Sequence, residues 1–373
     1  MKFTVSKTEM QKKLSDIQGI VEKRNTMPVL SHFLLNACEN DSYIVATDLE
    51  TSLKEPLHIE VETEGKLCIP ARKLFEIVKE ADEDLSFEST GDQWLEVKSG
   101  NSNFKLACLP ADEFPAWPEL GEAEEILVEA ETLLDMIEKT IYSAGDTDHK
   151  YTLNGLLFHL KPDKGRLRLV GTNGHRLAAT SKQVETEAKE ERQLIVSKKA
   201  VSEVRRLLGM AESVRQAHDE VRILMGKNHA LFSVGNVQFL TRLIEGTYPA
   251  YEGVIPKSNG KKVSAERDAF MKALNRVSIM SKEVSHAIRL DLAENLITLS
   301  SSDPNLGKAK DEIAADYKGD ELAISFNARY LLDAMKVMTS EKVILELADP
   351  LSPTLLTDEK DREWKYVVMP IRI

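Results

Sequence analysis

The feature that most constrains this chain is a repeat. Segments that can open a helix begin near residues 70, 197 and 327, in steps of 127 and 130, and turn-like segments at Thr47, Thr172 and Ser301 lie 125 and 129 positions apart. Self-similarity at a fixed period marks one structural unit written several times. The 373 residues are therefore predicted to form three domains, 1–122, 123–254 and 255–373, named here the first, middle and last repeats.

Each repeat has the pattern of two helices and about eight strands. Ser6 and Glu9 have the spacing of a capping box ahead of the first helix. Ser264 is predicted to cap the first helix of the last repeat, and Ser197 and Asn327 to cap second helices. Hairpin-like spacing of the strands favours antiparallel pairing, so the fold class is α+β.

The turn in Val170–Ala178 carries the dipeptide Asn173-Gly174 between apolar residues. This dipeptide is a strong signal for a two-residue hairpin turn in which both central residues have positive φ. His175 follows directly. It is interpreted either as a turn histidine that faces a groove or as a general base, which would need an orienting partner and a nucleophile.

Composition excludes several classes of protein. No apolar run reaches the roughly 18–20 residues that a membrane span needs, and the N-terminus lacks a signal-peptide pattern, so a cytoplasmic protein is predicted. Cys38, Cys68 and Cys108 are too widely spaced for a zinc site and are interpreted as inert thiols. Common catalytic motifs are absent from the sequence, and no metal site is predicted.

Basic residues are concentrated on the predicted helices although the net charge is −12. They include Lys13 and Arg24 in the first repeat, Lys198 and Lys199 in the middle repeat, and Arg329 in the last. These are interpreted either as ordinary exposed helix faces or as a positive surface that attracts phosphate backbones without reading bases. The apolar end Val367–Ile373 is similarly open to two interpretations, a closing strand or one wall of a peptide groove.

Over essentially its full length the chain resembles the bacterial sliding clamp family, the beta subunit of the replicative DNA polymerase. The resemblance rests on the stretches Met1–Val5, Ile69–Lys73, Leu109–Pro115, Leu153–Gly155, Thr172–Ala178 and Tyr366–Ile373. It implies three repeated DNA-clamp domains and two chains closed head-to-tail into a ring around duplex DNA. The helices would line the hole, and the ring would need no catalytic residue, metal or cofactor.

The resemblance also implies a groove for partner peptides between the middle and last repeats. Its residues are Leu153, Thr172, Gly174, His175, Arg176, Leu177, Pro249 and Val254 on one wall and Val367, Met369, Pro370, Ile371 and Arg372 on the other. A partner segment with Leu and Phe anchors and a Gln would bind there. The expected partners are the polymerase catalytic subunit, the clamp loader, and other polymerases, mismatch-repair proteins or ligase. No membrane partner is expected.

By the same resemblance, DNA is contacted by Arg24, Arg72, Tyr151 and Lys198. The dimer seam uses Lys73 and Phe104 of the first repeat against Ile279 and Met280 of the last. Several charged positions of the family are changed here, to Asn101, Asn103, Gly307, Lys308 and Lys310, and a second tyrosine and a groove arginine are Thr152 and Gly253. A seam based on apolar contact more than on ion pairs is therefore predicted.

Two other hypotheses stay open at this point. One is an enzyme that uses His175 with nearby Ser or Asp residues. The other is a dimeric scaffold that never meets DNA.

Overall fold

The structure, a computed structural model, describes residues 1–21, 27–91, 93–146, 150–210, 220–257, 259–281, 285–305 and 307–372. Two α-helices occur in each repeat: α1 (Lys7–Ile17), α2 (Ala71–Glu80), α3 (Ala130–Glu138), α4 (Lys198–Met210), α5 (Arg267–Ser278) and α6 (Ala328–Val337). The second helices start one residue after the positions expected from the sequence. None of the helices in the described ranges has the length and apolar character that a bilayer crossing requires.

The strands of the first repeat are β1 (Lys2–Val5), β2 (His32–Ala37), β3 (Tyr43–Thr47), β4 (Thr51–Pro56), β5 (Glu60–Thr63), β6 (Gly65–Pro70), β7 (Leu85–Ser89), β8 (Trp94–Ser99) and β9 (Ser102–Ala107). Those of the middle repeat are β10 (Glu124–Glu129), β11 (Gly155–Lys161), β12 (Arg166–Thr172), β13 (Arg176–Gln183), β14 (Glu185–Thr186), β15 (Arg192–Ser197), β16 (Glu220–Met225), β17 (His229–Val234) and β18 (Val237–Arg242). Those of the last repeat are β19 (Lys261–Glu266), β20 (Ala287–Ala293), β21 (Leu296–Asp303), β22 (Gly307–Asp316), β23 (Leu322–Asn327), β24 (Lys342–Leu347), β25 (Thr354–Thr357) and β26 (Lys365–Val368).

The chain divides into two compact units. Unit 1 comprises Met1–Ala130 and Met210–Leu243. It contains the sheet β5-β1-β7-β8-β9 and the strand order β10-β16-β17-β18-β4-β3-β2-β6, with α1 packed on α2. β18 of the middle repeat pairs with β4 of the first repeat, from Gln238–Lys54 to Thr241–Thr51, so one sheet runs across two repeats.

Unit 2 comprises Glu131–Gly209 and Ile244–Ile373. Its strands form the order β15-β11-β12-β13-β26-β25-β24-β19-β22-β21-β20-β23. Here β26 of the last repeat pairs with β13 of the middle repeat, from Arg176–Val368 to Ala179–Lys365. The junction between the first two repeats in unit 1 is therefore built in the same way as the junction between the last two in unit 2.

Strand pairing defines which residues of the three repeats are equivalent. The pairing Leu34–Val45 and Leu34–Cys68 recurs as Leu157–Val170 and Leu157–Ile195, and again as Arg289–Ser300 and Arg289–Ser325. Continuing along the strands, Thr47, Thr172 and Ser302 are equivalent, and so are Ser52, Leu177 and Lys308, which pair with them. The triplication predicted from the sequence is thus present in the register of the sheets.

Some local expectations are correct and others are not. Ser6, Ser197 and Asn327 accept backbone N–H bonds as caps. The Ser264 cap is wrong, because β19 continues to Glu266 and α5 begins only at Arg267. Glu9 does not complete the capping box, since its carboxylate instead accepts from the backbone N–H of His58.

Candidate functional site

The turn between β12 and β13 is held by two side chains. Thr172 Oγ1 donates to the carbonyl of Arg176 at 2.6 Å and accepts from the N–H of Gly174 at 3.1 Å. Asn173 Oδ1 accepts from the N–H groups of His175 and Arg176, both at 3.1 Å. Gly174 has φ +83° whereas Asn173 is not left-handed, so the two-residue turn with both φ values positive is wrong. The loop is longer than a two-residue hairpin turn, since the flanking strand pair is Thr172 with Leu177. The Asn173 side chain replaces a backbone carbonyl as the acceptor for the N–H groups inside this loop.

The other wall is the end of β26. Val367 pairs with Leu177, and the N–H of Met369 donates to the carbonyl of His175 at 2.9 Å. Pro370 has no N–H, and the next donor, Ile371, bonds the carbonyl of Ser325 at 2.7 Å. The chain therefore leaves the groove at Pro370. Ile371 and Arg372 instead line a separate cavity of about 690 Å³ on the sheet of the last repeat, with Lys308 and Lys310.

Arg176 is a positioning residue and not part of the open surface. Its side chain is 11 % exposed, pairs with Asp333 at 2.8 Å, and also donates to the carbonyl of Tyr142. Its guanidinium lies 4.4 Å from the ring centroid of Tyr330. These contacts tie the turn to α6, which carries Asp333 and Tyr330.

The floor of the groove is apolar and its rim is exposed. Leu177, Val367, Tyr248 and Tyr251 belong to one buried cluster, and Leu153 is also buried. Val254 is 43 % exposed, and Gly174, His175 and Pro249 are exposed as well. The structure thus has a buried apolar cluster with exposed neighbours in unit 2, where the resemblance implies the groove.

Tyr248 and Tyr251 are buried in the same cluster as Leu177 and Val367, and neither was predicted from the sequence as a site residue. The hydroxyl of Tyr248 donates to the carbonyl of Val170 at 3.1 Å, and the hydroxyl of Tyr251 lies 2.8 Å from Nδ1 of His159. The signal was the spacing Phe114-Pro115-Ala116-Trp117, which recurs as Tyr248-Pro249-Ala250-Tyr251. The pKa of His159 is lowered overall, because the effect of burial outweighs that of the contacting Glu191 carboxylate, which raises the pKa.

The expected DNA contacts have different environments. Arg24 lies outside the described residues. Arg72 is exposed on α2 and pairs with Glu76 at 3.0 Å, and Tyr151 is 59 % exposed. Lys198 bonds Asp146 at 2.6 Å. Lys13, counted above with the basic helix residues, is buried against Glu55 at 3.3 Å and belongs to the interior of unit 1, so that part of the expected surface is wrong.

The expected seam residues are accessible. Ile279, at the end of α5, is 73 % exposed, which is the largest value among the described large hydrophobic residues. Met280 is half-buried and lies against Gly307, and Phe104 is half-buried on the edge strand β9. Lys73 is exposed and pairs with Glu76 at 2.7 Å.

The described side chains do not form a recognisable metal site, and the buried cysteines are not activated thiols. In the part of the chain that the structure describes, no group of three His, Cys, Asp or Glu could hold a metal ion. Burial raises the pKa of Cys68 and Cys108 to about 12, which suits inert thiols. The hydrogen bonds of His175 in the described residues are made by its backbone, whose N–H donates to Asn173 Oδ1 and whose carbonyl accepts from Met369.

Family models match the whole plan of the chain. The N-terminal, central and C-terminal domain models of the DNA polymerase III beta subunit match residues 1–118, 127–250 and 252–372. The exact boundaries proposed from the sequence stay predictions, but the three matches confirm a chain of three clamp domains.

Similar proteins cover the full length. The beta sliding clamp of Pseudomonas putida is 37 % identical over 375 residues, and that of Escherichia coli K12 is 31 % identical over 376, each covering 100 % of both chains. The crystal structure of the Caulobacter crescentus clamp has a TM-score of 0.94 at 34 % identity, and that of the Pseudomonas aeruginosa clamp 0.93 at 33 %, again with 100 % coverage of both. The chain therefore belongs to the DNA polymerase III beta subunit family, the beta sliding clamps, and is a non-catalytic processivity factor of the replicative polymerase.

Proposed function

We propose that two copies of this chain close head-to-tail into a ring that encircles duplex DNA in the bacterial cytoplasm. One observation carries the proposal. The closing strands β18 and β26 each pair with the strand after the turn of the preceding repeat, β4 and β13. The equivalent strands β9 and β22 keep free edges in the described residues. β9 is the last strand of its sheet. One edge of β22 pairs with β21, and on the other edge only Ala315 and Asp316 pair, with β19. β9 of one copy can therefore join β22 of another.

The repeat also supplies the register of this seam. At the two junctions inside the chain, Ser52 pairs with Leu240 and Leu177 pairs with Val367. Lys308 is equivalent to Ser52 and Leu177, and by strand register Lys105 of β9 is equivalent to Leu240 and Val367. The corresponding pair at the seam is therefore Lys308 with Lys105. The next pair along is Ala309 with Phe104, which places the aromatic ring in the seam. Like charges directly opposite one another are destabilising, and apolar contact must then supply the affinity.

The seam is tested by Lys105→Glu in the full chain. Replacing one lysine of the opposed pair should tighten the dimer about fivefold, from roughly 0.5 kcal/mol at each of two seams. Analytical ultracentrifugation measures this, and Lys66→Glu, an exposed lysine of β6, is the matched control. Added salt should leave the wild-type dimer unchanged or tighten it. A dimer that weakens steeply with salt contradicts this seam.

Encirclement is tested by loading the chain onto nicked circular DNA with a clamp loader. Linearising the circle should release the ring, because confinement and not adhesion holds it. A surface binder or a scaffold would respond equally to circles and linear DNA. Arg24, Arg72, Tyr151 and Lys198 are proposed to contact phosphates, so Arg72→Glu should shorten the lifetime on circles at moderate salt and leave the dimer intact.

We infer that the groove of unit 2 receives a short segment with Leu and Phe anchors and a Gln. Such segments are proposed for the polymerase catalytic subunit, the clamp loader and repair proteins. The probe is the peptide acetyl-Gln-Leu-Asp-Leu-Phe. Val254→Lys, at an exposed rim position, should weaken its binding about tenfold in calorimetry by placing a charge in an apolar site. His175→Ala should also weaken binding while leaving the dimer intact.

The enzyme hypothesis built on His175 is wrong, because the family is non-catalytic. The backbone carbonyl of His175 accepts from the N–H of Met369, and its exposed side chain is left for contact with the bound segment.

A further inference from the structure

Unit 1 contains a cavity at the position equivalent to the groove of unit 2. It measures about 390 Å³, and its lining includes Leu34, Tyr43, Val45, Leu49, Phe114 and Trp117. Leu34 and Val45 are equivalent to Leu157 and Val170 of the groove floor by strand register. Phe114 and Trp117 occupy the places of Tyr248 and Tyr251. The apolar floor of the groove is thus present a second time in the chain.

The rim of this cavity also has its counterpart in the groove. The N–H of Arg242 donates to the carbonyl of Glu50 at 2.8 Å, as that of Met369 does to His175. Thr47 Oγ1 accepts from the N–H of Leu49 at 3.0 Å, as Thr172 Oγ1 does from Gly174. The two turns present the same backbone at the mouths of the two sites.

Leu49 is the feature that the groove lacks. It has φ +74° and is 51 % exposed, at the position where unit 2 has Gly174. A branched side chain in left-handed backbone is unfavourable, and this one gains little burial in return. The strained leucine instead forms part of the cavity wall.

The charge of the cavity differs from that of the groove. Lys54 stands where the groove has Ala179, and it is the one Lys or Arg among the described lining residues, with no Asp or Glu beside it in that lining. Its Nζ lies 3.9 Å from the ring centroid of Tyr43 and forms no ion pair with any described carboxylate. A polar cavity of about 940 Å³ shares Tyr43 and Lys54 and carries Glu39, Asp41 and Glu60, so Lys54 marks the boundary between apolar and acidic linings.

We propose that this cavity, named here the unit 1 pocket, is a second docking site for a partner segment. Its occupant is a short extended peptide with two large apolar side chains and one carboxylate. The apolar side chains contact Leu49, Phe114 and Trp117, and the carboxylate pairs with Lys54. The site is separate from the groove of unit 2 and selects for the negative charge, which the groove floor does not.

Trp117 gives a direct readout, because the chain has only three tryptophans. The full chain labelled with 5-fluorotryptophan is titrated with acetyl-Gln-Leu-Asp-Leu-Phe, and the ¹⁹F resonance of Trp117 is assigned with Trp117→Phe. The expected result is a saturable shift of this resonance that persists in Val254→Lys. The same peptide with Asn in place of Asp should bind the unit 1 pocket about threefold to fivefold more weakly, since a partly exposed ion pair is lost.

Two variants separate the sites. Lys54→Gln should abolish the preference for the Asp peptide at Trp117, and Leu49→Gly should weaken binding there while keeping the turn backbone. Calorimetry should show two sites per chain in the wild type, and in Val254→Lys one site of unchanged affinity and one about tenfold weaker. A single site per chain that weakens about tenfold in Val254→Lys, with no shift of Trp117, overturns this proposal and leaves the groove intact. A Trp117 shift that depends on protein concentration without peptide assigns the pocket to a second copy and also overturns it.

Discussion

The turns at Thr47–Ser52 and Thr172–Leu177 are one backbone made from two sequences. In each, a threonine bridges the turn and an Asp or Asn oxygen accepts from two N–H groups, at 2.9 and 2.6 Å from Asp48 and at 3.1 Å from Asn173. The turns differ at two positions. The residue with positive φ is Leu49 in the first turn and Gly174 in the second, and two residues later the first turn has Thr51 where the second has Arg176. The shared hydrogen bonds fix the backbone, so the two turns are distinguished by the side chains at these two positions.

The largest expected difference between the turns is in their anchoring. Arg176→Ala should lower the free energy of unfolding by about 3 kcal/mol, because Asp333 loses its partly buried partner and Tyr330 its stacked cation. Thr51→Ala at the equivalent place removes only a hydroxyl bonded to Asp48 at 3.0 Å, and should lower it by about 1 kcal/mol. Urea unfolding of both variants measures the difference. Equal losses would mean that α6 does not hold the groove turn.

The bridging acceptors give the next effect. Asp48→Ala should lower the free energy of unfolding by about 2 kcal/mol and Asn173→Ala by about 1 kcal/mol, since bonds to a charged acceptor are stronger. Asp48 also accepts from the Thr51 hydroxyl, which Asn173 has no counterpart for. Thermal unfolding compares the two, with Asp48→Asn as the control that keeps the geometry. An Asn that unfolds as readily as Ala would show that charge, not shape, holds that turn.

Exchanging the left-handed residues tests the strain directly. Gly174→Leu should cost about 1–2 kcal/mol, whereas Leu49→Gly should be close to neutral, because relief of strain offsets the added freedom of the unfolded chain. Unfolding in urea gives both values. A destabilised Leu49→Gly would mean that Leu49 packs against the fold more than its exposure indicates.

The smallest difference depends on pH. His159 behind the groove is equivalent to Asn36 in unit 1, since their strands pair alike. Burial lowers the pKa of His159 below its usual 6.5, so protonation favours the unfolded chain. The free energy of unfolding therefore has its full contribution from the neutral ring above pH 6.5, and it loses this contribution as the pH falls below 6.5 toward the lowered pKa of the folded chain. Thermal unfolding should show the wild type losing stability between pH 7 and 5, and His159→Gln losing less over the same range.

The sequence predicts what local patterns determine. The starts of α2, α4 and α6 are predicted to within one residue, because a cap and an apolar helical face are short-range features. Ser264 is a suitable cap by type, yet β24 and β22 recruit its backbone into a sheet from distant sequence. Lys13 is basic at an exposed-looking position, but Glu55 from β4 pairs with it in the interior.

The candidate site was predictable only where its residues come from one motif. Thr172–Leu177 and Val367–Met369 lie in short recognisable stretches, and the structure brings them together through one strand pair. Ile371 and Arg372 follow the same motif yet line another cavity, because Pro370 and the Ile371–Ser325 bond redirect the chain. The repeated spacing of Phe114-Pro115-Ala116-Trp117 and Tyr248-Pro249-Ala250-Tyr251 marks the two tyrosines, but their burial beside Leu177 and Val367 depends on strands far away in sequence.

Edge-sharing between repeats has a consequence for growth. Because β18 completes β4 and β26 completes β13 inside one molecule, the proposed seam has one β9 edge and one β22 edge of each chain available to it. If chains join through the proposed seam, every chain added to an open row uses one of these edges and supplies the other, so the row always keeps a free edge at each end. Growth through this seam stops only when a row closes on its own first chain, as the proposed ring does.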